Sequence, residues 1–152
     1  MLSRSPSPAR PAGFIAPCLP TLACTVPDGP QWVYEIQHDG FRFICRRDGD
    51  RACVFSQHGL DWTDGVPLIA EALRSLPVWS ATLDGEGVVC DERGVSDFDR
   101  LRSAVSRRGS RQAFLFAFDL LELDGRDLRR QAWHKRRAAL ARPASIWSAM
   151  AR

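Results

Sequence analysis

Phe41-Arg42-Phe43-Ile44-Cys45-Arg46-Arg47-Asp48-Gly49-Asp50-Arg51-Ala52-Cys53-Val54-Phe55-Ser56 reads as two strands joined by a tight turn. Phe41, Phe43 and Cys45 fall at alternate positions and so share one face of the first strand. Asp48-Gly49-Asp50 supplies the positive φ that a short hairpin turn needs, and Arg51 to Ser56 is the returning strand. Upstream, Trp32 to Ile36 is aromatic and β-branched, which predicts a further strand, with His38-Asp39-Gly40 as the turn between them. Phe14 to Leu22 is apolar but carries Pro17 and Pro20, which predicts an extended, packed segment rather than a helix.

Downstream of the hairpin the hydrophobic period changes. Pro67 to Leu76 places Leu68, Ile69, Ala72, Leu73 and Leu76 on one helical stripe, with proline in the first turn. Ala81 to Cys90 returns to a strand pattern, interrupted by Gly85 and Gly87, which mark a bulge or a close backbone approach. Ser96 is the expected cap of a second helix that buries Phe98, Leu101, Ala104 and Val105. Ala113 to Leu121 is apolar on both faces and fits a central strand, and a last helix is expected from about Arg130 to Ala141. Hairpins mixed with single helices argue for an α+β fold with mostly antiparallel sheets and flanking helices.

With 152 residues the chain forms about one domain, and 45% hydrophobic content excludes global disorder. Residues 1–13 read as a flexible leader, 14–141 as the domain, and 142–152 as a tail of bland composition. The net charge of +3 permits nucleic-acid contact without pointing to it, and the basic residues are arginines except Lys135. Five cysteines, at positions 18, 24, 45, 53 and 90, form no Cys-x-x-Cys pair and no zinc-ligand spacing, so no metal site is expected. Scattered thiols, no secretion signal and no membrane-length apolar run predict a cytoplasmic protein with reduced cysteines. Neither a Gly-x-x-x-x-Gly-Lys-Ser/Thr loop nor a Gly-x-Gly-x-x-Gly turn is present, so a bound nucleotide would need another scaffold.

Tyr34-Glu35-Ile36-Gln37-His38-Asp39-Gly40-Phe41-Arg42 resembles the Lys-x-Asp-Gly-x-Arg motif of ATP-dependent DNA ligases, with Gln37 where that family has lysine. Three further stretches follow in the family's order. Ser56-Gln57-His58-Gly59 is similar to Ser-Arg-x-Gly, Leu83-Asp84-Gly85-Glu86-Gly87-Val88 resembles the Asp-Gly-Glu motif, and Phe116-Ala117-Phe118-Asp119-Leu120-Leu121 is like the aromatic strand that stacks on adenine. Pro17-Cys18-Leu19-Pro20-Thr21-Leu22 resembles the opening segment. Together they resemble the first part of a bacterial end-joining ligase's adenylation domain, a nucleotidyltransferase fold incomplete here at its C-terminus.

The resemblance implies ATP, Mg²⁺ and nicked or broken DNA as cofactors and substrate, and it implies site roles. Glu35 would read the adenine amino group, Arg42 would contact ribose and phosphate, Glu86 the ribose hydroxyls, and Phe118 the purine face. Each has a plainer reading: a solvated glutamate, one surface arginine among many, or a core phenylalanine. In the family the lysine attacks the α-phosphorus of ATP and carries AMP. The amide nitrogen of Gln37 has its lone pair delocalised into the carbonyl and cannot do so. Gln57 likewise replaces a cation that the family turns toward phosphate or nucleic acid. His38 should face away from Gln37 on a strand, and Lys135 reads as a solvated helix residue. The family's later Glu-Gly, Lys-x-Lys and OB-fold parts are absent from these 152 residues. The expectation is a truncated ligase relative that does not self-adenylate. A non-catalytic nucleotide- or DNA-binding module, or a fragment with no role, stays open beside it.

Overall fold

A computed structural model describes residues 13–106 and 110–141. The expected tail at 142–152 and all of the expected leader except Gly13 lie outside the described residues. The architecture is α+β. One antiparallel five-stranded sheet, ordered β2-β1-β3-β4-β5, is built from β1 (Phe41–Asp48), β2 (Arg51–Ser56), β3 (Ser80–Val88), β4 (Phe114–Leu123) and β5 (Arg126–Asp127). Helices α1 (Pro67–Arg74), α2 (Phe98–Ser106) and α3 (Trp133–Ala141) flank it.

The hairpin forms as its sequence predicts, paired from Phe43↔Ser56 to Asp48↔Arg51, with Gly49 at φ 57° in the turn. Phe43, Cys45, Val54 and Leu83 point from the sheet into a core completed by Ile69, Ala70 and Leu73 of α1 and Leu101 of α2. Burying each such large aliphatic or aromatic side chain contributes about 1.5–3 kcal/mol. Pro67 opens α1 at a position whose N–H has no helical acceptor, so its missing donor costs nothing.

Several expectations need correction. Trp32 to Ile36 is not a strand; the stretch is irregular, and all five side chains are exposed. β propensity is realised only against a partner strand, and β1 already has β2 and β3 on its two edges. Phe14, Ile15 and Pro17 are half-buried, with Phe14 edge-on to Phe55, but Leu19 and Leu22 stand exposed. The cap of α2 is Asp97, not Ser96: its carboxylate accepts from Arg100 N at 3.0 Å, as an N-cap does. The last helix begins at Trp133 rather than Arg130. β3, not β4, is the central strand, and β4 carries exposed Phe114 and Phe116 on one face.

The glycines of β3 bear out their reading. A Cβ on Gly87 would lie 2.4 Å from the Phe43 ring, and one on Gly85 would lie 2.6 Å from the Phe116 carbonyl oxygen. The ladder to β4 slips twice, between Thr82 and Leu83 and between Asp84 and Gly85. At the second slip Asp84 pairs with Asp119 and Gly85 with Ala117, so Phe118 is an extra residue in β4.

Candidate functional site

The face of the sheet turned away from α1 is set by the alternation of β1, which sends Arg42 opposite to Phe41 and Phe43. Register then places Arg42 beside Glu86 of β3, and Glu86 beside Phe116 of β4. One rung across three strands therefore carries a cation, a carboxylate and an aromatic ring.

Arg42 is held at several points. Its Nε and Nη2 donate to the two carboxylate oxygens of Asp84 at 2.6 and 2.8 Å, a fork-to-fork pair. Nη2 also lies 3.3 Å from the Cys18 carbonyl oxygen, which ties the segment before the sheet to the face. The guanidinium carbon sits 4.7 Å from the Phe118 ring centroid, a cation–π contact. The hydrogen bond to Asp84 raises the arginine's pKa still further, so it carries a permanent positive charge. Glu86 is half-buried. Desolvation raises its pKa, Arg42 opposes that rise, and Asp84 and Asp39 add to it.

Arg42, Glu86 and Phe118 are thus brought to one face. Glu35 and Gln37 are exposed on the irregular segment and make no side-chain hydrogen bond to another described residue. The strand alternation that would align them with each other, and turn His38 away, does not apply. His38 instead stacks on Phe116, with centroids 3.8 Å apart and planes 6° from parallel. Asp39 N donates to Ser96 Oγ at 2.9 Å, a second point holding this segment. Gly40 is needed for close approach rather than for turn geometry, since a Cβ there would lie 2.3 Å from the Gly87 carbonyl oxygen.

A cleft of about 470 Å³ opens at the end of these strands, lined by Gly40, Arg42, Ser56, Gln57, Glu86 and Phe98 among others. It brings Gln57 to the same opening as Arg42 and Glu86, and Phe118 does not line it. A larger cleft of about 610 Å³, between Asp50 and Arg74, contains none of the predicted residues. Sequence reading gave Asp84 no role of its own and missed the Phe116 ring. The signal for Asp84 was an acid directly after Leu83 in the middle of a strand, which requires a cationic partner when buried.

The family profile described as "ATP dependent DNA ligase domain" matches residues 20–146. This chain belongs to the ATP-dependent DNA ligase family. It is 37% identical over 127 residues to the multifunctional non-homologous end joining protein LigD of Pseudomonas aeruginosa, covering 84% of this chain and 15% of that one. It is 32% identical over 134 residues to DNA ligase C of Mycobacterium tuberculosis, covering 83% and 37%. Among solved structures, the ligase domain of M. tuberculosis LigD superposes with a TM-score of 0.64 at 32% identity, over 74% of this chain and 36% of that one. A mycobacterial DNA ligase D complexed with ATP and MES gives 0.62 at 32% identity, over 73% and 36%. The ligase likeness confirms the nucleotidyltransferase-like α+β fold, and the chain spans little more than a third of each of these ligase structures. No helix among the described residues is long and apolar enough to cross a membrane.

Proposed function

We propose that this ligase-family chain binds an adenine nucleotide on the open face of its sheet and does not form a covalent protein–AMP. The observation that carries the reading is the rung Arg42–Glu86–Phe116, with Phe118 under the arginine. A permanent cation suits ribose-phosphate oxygens, a half-buried carboxylate suits ribose hydroxyls, and aromatic rings suit a purine. In this assignment Arg42 contacts ribose and phosphate, Glu86 the ribose hydroxyls, Phe118 the base, and Glu35 the adenine amino group once its segment closes. Residue 37 is where the family's lysine would attack the α-phosphorus and expel pyrophosphate. Gln37 offers no nucleophilic nitrogen, so the chemistry stops at binding. ATP with Mg²⁺ is the proposed ligand and nicked or broken DNA the proposed partner, met in the cytoplasm.

Incubation with α-labelled ATP and Mg²⁺ should leave no acid-stable label on the protein, while millimolar ATP raises its melting temperature. A labelled band overturns the non-covalent reading. Absence of any thermal shift overturns nucleotide binding.

A further inference from the structure

Phe118 is the extra residue at the second ladder slip, so the regular pairing of β3 with β4 does not fix its position. The constraint comes from α3. Arg136 Nε and Nη2 donate to the two Asp119 carboxylate oxygens, both at 2.8 Å, and Nη1 donates to the Gln131 carbonyl oxygen at 2.6 Å. One guanidinium thus ties the residue after Phe118 to the loop that enters α3. The next arginine, Arg137, donates Nη1 to the Phe118 carbonyl oxygen at 3.3 Å. The pair is largely shielded, with side chains 16% and 18% exposed. No side chain of α3 is fully buried, so packing alone anchors this helix weakly and its polar links to β4 matter more.

We propose that Arg136 is a positioning residue for the nucleotide site: it fixes the bulge in β4 and so sets the angle at which the Phe118 ring meets the base. Bulges beside binding sites re-aim a side chain, and a rigid two-pronged pair is a suitable clamp for one. The role rests on the nucleotide reading above. A lysine at this position keeps the charge and loses the fork, so Arg136→Lys removes the geometry without leaving Asp119 unpaired. Asp119→Asn, of the same shape, tests the other half of the clamp.

The test is calorimetric titration of the chain with Mg-ATP in a double-mutant cycle that pairs each clamp variant with Phe118→Leu. Arg136→Lys and Asp119→Asn should each weaken ATP binding about fivefold, the value of one lost ring contact. Combined with Phe118→Leu, neither should weaken binding more than about twofold beyond Phe118→Leu alone, because both changes remove the same contact. A purely structural clamp would instead give losses that multiply, and that result overturns the proposal. Unchanged ATP affinity in both clamp variants also overturns it while leaving the nucleotide reading intact. If the parent chain binds no ATP, the nucleotide reading fails and the positioning role fails with it.

Discussion

Asp84 and Arg42 neutralise each other across two neighbouring strands, and they are not equally accessible. The aspartate side chain is 5% exposed, the arginine 24%. Arginine can turn its head to water when its partner is lost; the aspartate cannot.

The two truncations should therefore differ. Arg42→Ala leaves a buried, unpaired carboxylate and should cost about 3 kcal/mol, whereas Asp84→Asn keeps a hydrogen-bond acceptor and should cost about 1–2 kcal/mol. Urea midpoints at neutral pH would show the order. Equal losses would mean that water already reaches Asp84.

Glu86 makes stability pH-dependent in the unusual direction for a carboxylate. Burial raises its pKa above the ordinary 4.5, so the folded protein holds that proton more tightly than the unfolded chain. Stability contributed by this group is present below 4.5 and falls as pH rises through the raised value. Glu86→Gln should raise the melting temperature at neutral pH, with the gain vanishing on the acid side of that window. A gain that persists in acid would assign the effect to something other than ionisation.

Gly85 and Gly87 both lack room for a side chain, but their neighbours differ in how far they can give. Gly85→Ala meets the carbonyl oxygen of Phe116, which is fixed backbone, while Gly87→Ala meets the edge of the Phe43 ring. Both should cost stability in the range of about 1–3 kcal/mol for overpacking, with Gly85→Ala the worse. Thermal melts of the two variants side by side decide the order.

Position 37 is exposed, so a lysine placed there is solvated and keeps the ordinary lysine pKa of about 10.4. Gln37→Lys should therefore accept label from α-labelled ATP slowly at neutral pH, rising about tenfold per pH unit toward that value. A pH-independent rate would show that the amine is desolvated once the segment closes over the nucleotide.

The hairpin was legible because Asp48-Gly49 states its turn and the flanking alternation states its faces. Arg42, Glu86 and Phe118 were legible as residues of interest from the motifs around them, and register explains why they meet. Trp32 to Ile36 misled because its composition describes what a strand needs from its side chains and says nothing of a free neighbouring edge. β5 escaped notice although Asp124-Gly125 is a hairpin signal, with both residues at positive φ of 48° and 80°. Its strand of two residues is too short to show any alternation. The Arg136–Asp119 clamp spans 17 positions and depends on a one-residue slip in the ladder, which no local pattern records.

β4 is ten residues long, yet β5 pairs only with Glu122 and Leu123. Among the described residues, its outer edge from Phe114 to Leu120 meets no strand, since the Leu121 carbonyl already accepts from Leu128 N, and Phe114 and Phe116 stand exposed on it. Such an edge is a template on which another chain can polymerise. The two slips bend it, and Arg137 occupies the Phe118 carbonyl with a charged donor. Irregularity in this strand thus also breaks up the template: a straightened, uncharged β4 would offer another chain a longer continuous edge to pair with.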